Sequence, residues 1–106
     1  MRICVYAASS AQVAPDFHAA AFELGQALAA DGHTLVYGGG SQGLMGAVAD
    51  GALSKQGEVI GILPKFMADL EWGHPGLTKH ELVEDMRERK HRLITRTDAV
   101  VALPGG

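Results

Sequence analysis

A run of glycines follows a short apolar segment in Tyr37-Gly38-Gly39-Gly40-Ser41-Gln42-Gly43-Leu44-Met45-Gly46. Glycine lets the main chain turn sharply and approach a ligand with no Cβ in the way. A helix that starts just after such a loop points its free N–H groups and positive dipole end back at it, and phosphate suits that geometry. Gly38, Gly40 and Gly43 satisfy G-x-G-x-x-G. No acidic residue follows about 20 positions later at the end of a strand, as a dinucleotide site needs, and Glu58 stands too early in its own strand. No Gly-Lys-Ser/Thr follows either, so this is not a Walker loop. The same residues serve equally as a tight strand-to-helix turn with glycines needed only for packing. The loop alone leaves both readings open.

The second chemical signal is Asp85-Met86-Arg87-Glu88-Arg89-Lys90. As a solvated helix face, Asp85 can pair with Arg89 and Glu88 with Arg92, each pair worth roughly 0.2–0.5 kcal/mol. However, Met86, Lys90, Leu93 and Thr97 fall on one stripe with Arg89 beside it. One or two cations therefore border a buried face, where an arginine fork can meet carboxylate or phosphate. Ser9 and Ser10 follow the first apolar run and can hydrogen-bond a phosphate or ribose, or simply cap a turn. The histidines show no metal-ligand spacing, and no metal is assigned. Lys55 and Lys65 read as surface charges and Trp72 as loop packing.

These residues must be held by a scaffold of alternating strands and helices. Ile3 to Ala7 is a compact apolar run of the kind a buried parallel strand makes. Phe17, Ala21, Leu24 and Leu28 recur at helical spacing from Pro15 until Asp31-Gly32. Thr34 to Tyr37 predicts a second strand, Leu44 to Lys55 a helix capped by Gly57, and Glu58 to Leu63 a third strand ended by Pro64. An irregular stretch follows, with a short strand near Glu81 to Val83. Met86 to Arg96 predicts a charged helix and Ala99 to Leu103 a last strand. The pattern implies an α/β, Rossmann-like, doubly wound parallel sheet, with ligands beyond the carboxyl ends of the strands. The last strand has no helix after it. Residues 1–106 therefore read as one nucleotide-binding domain that is incomplete at its C-terminus, the N-terminal half of the full fold.

With 106 residues, 47% of them apolar, the chain suits one small domain with a real core. The formal net charge of −3 argues against a protein-wide grip on nucleic acid. One cysteine excludes a disulfide framework and favours the cytoplasm. No segment is long enough to span a membrane, so no membrane partner is expected.

Taken together, three motifs resemble the LOG family, whose members were long mislabelled lysine decarboxylases. They are Gly38-Gly39-Gly40-Ser41 with Gly43-Leu44-Met45-Gly46, then Met86 through Arg89-Lys90, then Leu103-Pro104-Gly105-Gly106. Ala8-Ser9-Ser10, Gly61-Ile62-Leu63-Pro64, and Glu71 ahead of His74-Pro75-Gly76-Leu77 also match, in order along essentially the whole chain. The family pattern continues past Pro-Gly-Gly into Gly-Thr and a helical glutamate, which this sequence does not contain. Arg87 stands where the family often has histidine.

The resemblance implies hydrolysis of the N-glycosidic bond of a nucleoside 5′-monophosphate, AMP or a cytokinin nucleotide, to free base and ribose 5-phosphate. It implies a homodimer with its site near the interface, and no cofactor. Arg89 and Glu71 are the implied catalytic residues. The implied substrate-binding residues are Ser9, Gly39, Gly40, Ser41, Gly43, Lys90, Gly105 and Gly106. Without the Gly-Thr and glutamate, residues 1–106 alone are expected to be inactive. The alternative is a non-catalytic nucleotide-binding or carrier module of the same fold.

Overall fold

The computed structural model describes residues 1–7, 14–69 and 73–103. Within them, nine elements alternate in chain order: β1 (Arg2–Tyr6), α1 (Pro15–Ala30), β2 (Thr34–Tyr37), α2 (Gly43–Ser54), β3 (Val59–Pro64), α3 (Lys65–Asp69), β4 (Lys79–Val83), α4 (Met86–Thr95) and β5 (Ala99–Ala102). These strands pair in parallel throughout, and the sheet order is β4-β3-β2-β1-β5. The chain steps outward from β1 to β4, then returns to the other side of β1 to place β5. The order thus reverses beside β1, between its carboxyl end and that of β5. In open parallel sheets such a reversal opens a crevice for ligands.

Strand alternation divides the core between the two faces of the sheet. Ile3, Val5, Leu35, Tyr37 and Val59 face α1 and α2, where they meet Ala21, Leu28, Leu44, Val48 and Ala52. Cys4, Val36, Ile60, Ile62 and Val83 face the other way and pack with Leu93 of α4. Central strands are covered on both sides and so read as continuous apolar runs; β3 is buried from end to end. The edge strand β5 differs. Val101 packs inward on the α1–α2 side, while Val100 on the other face is 50% exposed.

The expected elements form with shifts of a residue or two at their ends. Pro15 opens α1, where its fixed φ and missing N–H cost nothing. Gly32 follows the helix with φ +78°. Three differences have local causes. The stretch after Pro64 is not irregular throughout, since Lys65–Asp69 makes a short helix. The last strand before α4 is longer than expected, Lys79–Val83, because it pairs with β3 from Ile60 to Pro64. At the end of α2 the left-handed residue is Gln56, at φ +58°, while Gly57 closes the turn by donating to the Ala52 carbonyl.

The charged segment of α4 is ordered by its own network. Asp85 caps the helix, its carboxylate accepting from the Glu88 N–H at 2.8 Å, and Glu88 accepts in turn from the Glu84 N–H at 2.9 Å. The predicted Glu88–Arg92 pair forms at 2.8 Å. Arg92 and Arg96 also converge on the buried carboxylate of Glu81, at 3.3 and 2.9 Å, which ties α4 to β4. Arg89 pairs with backbone and not with Asp85, because its side chain points into the core.

Candidate functional site

The glycine loop leaves β2 at the carboxyl edge of the sheet, and three different groups hold three successive carbonyls of it. Arg89 Nη2 donates to the Gly38 carbonyl. The His74 N–H donates to the Gly39 carbonyl at 2.8 Å. The Tyr37 hydroxyl donates to the Gly40 carbonyl at 2.8 Å. Gly40 also bridges antiparallel to Gly73. With these carbonyls turned to internal donors, the loop runs into the N-terminus of α2 at Gly43. The first-turn N–H groups of α2 have no intrahelical acceptors, and Gln42 supplies no side-chain cap.

Sequence makes this path possible at two positions. Gly39 sits at φ +82°, a region other residues enter only with strain. Gly38 is needed for space: a Cβ there would enter the Arg89 guanidinium and lie 2.8 Å from Met45 Cε.

Arg89 lies in the buried stripe of α4 and not beside it. It and Leu93 are the helix's buried residues, and Arg89 is only 7% exposed. Its Nε donates to the Ile62 carbonyl at 3.0 Å and its Nη1 reaches Met86 Sδ at 3.7 Å. The guanidinium thus spans from the end of β2 to the middle of the neighbouring β3. Among the described residues its hydrogen bonds go to carbonyl oxygens and a thioether, and no carboxylate pairs with it. Burial draws its pKa below the usual arginine value, and neighbouring Tyr37 opposes that shift. Tyr37 is wholly buried, and desolvation, reinforced by Asp50, raises its pKa; Arg89 works against this. Tyr37 therefore stays a neutral hydroxyl donor near neutral pH, and arginine, which does not deprotonate in proteins, remains a cation.

An open cavity of about 600 Å³ lies next to the loop, lined by Ser41, Leu63, Gly73, His74, Pro75, His80 and Leu82. It lies over the face of β3 and β4 that carries Leu63, His80 and Leu82, and not at the reversal beside β1. His74 is anchored there by a 2.6 Å contact from Nε2 to Asp50 Oδ1 and accepts the Gly76 N–H on Nδ1 at 3.0 Å.

The structure thus gathers Gly39, Gly40, Ser41, Gly43 and Arg89 at one edge. Lys90, the next residue after Arg89, is exposed to solvent and turned away from that buried stripe. Glu71, Ser9, Gly105 and Gly106 lie outside the described residues, as do Ser10 and Trp72. Among the described residues no cluster of three or more histidine, cysteine or acidic side chains could hold a metal ion, and no helix is long and apolar enough to cross a membrane. The sequence reading missed Tyr37, Asp50 and His74. The legible signals were the position of Tyr37 immediately before the loop and of His74 immediately before Pro75-Gly76.

Comparison with known proteins gives this arrangement its relatives. A family model described as "Possible lysine decarboxylase" matches residues 45–106. The chain is 43% identical over 105 residues to a rice (Oryza sativa subsp. japonica) protein named "Probable cytokinin riboside 5'-monophosphate phosphoribohydrolase LOGL1". It is 40% identical, also over 105 residues, to "Cytokinin riboside 5'-monophosphate phosphoribohydrolase LOG1" of Arabidopsis thaliana. These alignments take in 99% of the chain but 47% and 49% of the relatives, so the chain spans about half their length. Among solved structures, the molybdenum cofactor binding protein of Rippkaea orientalis superposes with a TM-score of 0.86 at 26% identity, over 99% of this chain and 63% of that one. The molybdenum cofactor carrier protein of Chlamydomonas reinhardtii gives 0.82 at 26% identity, over 99% and 62%.

Proposed function

The chain belongs to the family described as possible lysine decarboxylase, and from that premise we propose that the whole protein is a nucleoside 5′-monophosphate phosphoribohydrolase. The reaction breaks the bond between ribose C1′ and the base nitrogen. The bonding electron pair leaves with the base, which gains a proton, and water supplies hydroxide to C1′. The products are free base and ribose 5-phosphate.

The observation that carries this reading is the buried guanidinium of Arg89, unmatched by any carboxylate among the described residues, beneath a loop whose first three carbonyls are engaged. A buried charge normally needs a partner. An anionic substrate, or electron density arriving on the departing base, would complete the site. As C1′ loses the base it develops positive charge, and nearby carboxylates stabilise it, as in other glycoside hydrolyses. Glu71 is assigned that role here, beside the glutamate of the family pattern that would follow Pro-Gly-Gly. Arg89 cannot be the base, since guanidinium stays protonated; it stabilises developing negative charge on the leaving group or substrate oxygens. The phosphate is assigned to the α2 N-terminus, with Ser9, Gly105 and Gly106 as its further proposed binding residues. Lysine decarboxylation, the chemistry in the family's description, needs a pyridoxal phosphate lysine, and the sequence offers no distinctive setting for one. A homodimer with the site near its interface completes the proposal.

A second reading follows from the molybdenum cofactor proteins, which share the fold: a carrier that holds its ligand without cleaving it. Chromatography after incubation of the whole protein with AMP and a cytokinin nucleotide separates the two. Free base supports the hydrolase; a bound but intact nucleotide supports the carrier.

A further inference from the structure

His74 belongs to neither motif of the proposed reaction, yet it joins three parts of the site. Its main-chain N–H holds the Gly39 carbonyl at 2.8 Å. Its Nδ1 accepts from the Gly76 N–H at 3.0 Å, closing the turn around Pro75. That acceptor role leaves the ring proton on Nε2, which faces the Asp50 carboxylate at 2.6 Å. Asp50 is in α2, the helix the glycine loop feeds. The side chain of His74 is 11% exposed, whereas that of Asp50 is 55% exposed. One residue therefore ties the loop that enters α2 to the body of that helix, with the 73–76 turn as the strap.

We propose that His74 is a positioning residue for the nucleotide-binding loop, acting through Gly39, and that its anchor is the hydrogen bond to Asp50. The assignment of nucleotide binding to this loop rests on the function proposed above. The strap itself does not. A side chain fixed to α2 fixes the main-chain N–H of the same residue, and that N–H sets the carbonyl of Gly39 at φ +82°. With the anchor cut, Gly39 can turn its peptide over at small cost, and the loop no longer presents one shape. A shift of about 1 Å in groups that position a substrate is enough to weaken function by up to about 10²-fold.

The test uses the whole protein and four variants, with AMP as probe. His74→Ala and Asp50→Ala each cut the anchor. His74→Gln keeps a donor at the reach of Nε2, and His74→Asn keeps an acceptor at the reach of Nδ1 for Gly76. Asp50 is largely exposed, so Asp50→Ala keeps the experiment interpretable if His74→Ala does not fold. Hydrogen exchange in the segment 38–45 reads the loop without ligand; AMP titration reads its function. The expected result is faster exchange in 38–45 and AMP affinity lower by about tenfold for both alanine variants. Recovery is expected in His74→Gln but not in His74→Asn, and KM rises more than kcat falls. Unchanged exchange in 38–45 for Asp50→Ala, or recovery by His74→Asn alone, overturns the proposal. If the wild-type protein ignores AMP while the exchange pattern holds, the nucleotide reading fails and the strap stands.

Discussion

Arg89 Nη2 donates to the carbonyl oxygen of Gly38, 51 residues away in the chain, and a side chain at Gly38 would displace the guanidinium that does so. Two motifs that look independent in the sequence, the glycine run and Met86-x-x-Arg89-Lys90, are therefore two sides of one contact. The same guanidinium donates to the Ile62 carbonyl, so it joins the loop after β2 to the neighbouring strand β3.

Arg89→Ala is expected to act on both stability and turnover. It strands two buried carbonyls, each worth about 1–3 kcal/mol when left unpartnered. In the whole protein it should also lower kcat about 10²-fold, the scale for a missing electrostatic donor. Arg89→Lys should recover little, because an ammonium cannot span both carbonyls as a planar fork does. Thermal unfolding beside steady-state kinetics checks this. Near-normal kcat in a destabilised Arg89→Ala protein would leave the residue a purely structural role.

Gly38→Ala should mimic part of that effect from the other side. A methyl group there displaces the guanidinium or Met45 Cε, and overpacking of this kind costs about 1–3 kcal/mol. The double variant Gly38→Ala, Arg89→Ala should be more stable than the sum of the single effects predicts, since the clash is gone. Denaturant melts of the three variants measure the coupling, and strict additivity would contradict the contact.

Tyr37→Phe removes the donor to the Gly40 carbonyl and leaves the ring in place. The expected cost is about 0.5–1.5 kcal/mol for the hydrogen bond to this part-buried carbonyl, with weaker AMP binding because that bond fixes Gly40 within the loop. An unchanged melting temperature and AMP affinity would show that the hydroxyl is dispensable.

Stability should fall in alkali, starting near pH 9. Burial raises the Cys4 pKa from 9.0 to about 11. Above the unfolded value the unfolded chain releases this proton while the folded chain keeps it, so folding loses ground from about pH 9 until about pH 11. At about 1.4 kcal/mol per pH unit this reaches about 2–3 kcal/mol. Tyr37 adds to the loss above pH 10, since its pKa is raised as well. Cys4→Ala should remove the part of the slope that begins at pH 9, read from denaturant melts across pH; an unchanged slope would assign it elsewhere.

Much of this was legible in sequence because the central strands and helices are periodic. Val59 to Pro64 is apolar throughout and buried throughout, and the Gly38–Gly43 run did mark the strand-to-helix turn. Long-range pairing was not legible. The spacing of α4 put Arg89 next to a stripe through Lys90, whereas the structure buries Arg89 and exposes Lys90. Periodicity alone gives a charged residue no reason to face inward. The reason lies in two carbonyls of distant segments, Gly38 just after β2 and Ile62 within β3. Tyr37, Asp50 and His74 were missed for the same cause: each acts through a main-chain atom or side chain brought near only by the fold.

Under the proposed function, the whole protein cleaves the N-glycosidic bond. The direct measurement is a time course of free base and ribose 5-phosphate released from AMP and from a cytokinin nucleotide. The two products should appear together in equal amounts, and Arg89→Ala should slow both. Nucleotide that stays bound and intact, with neither product released, would contradict it.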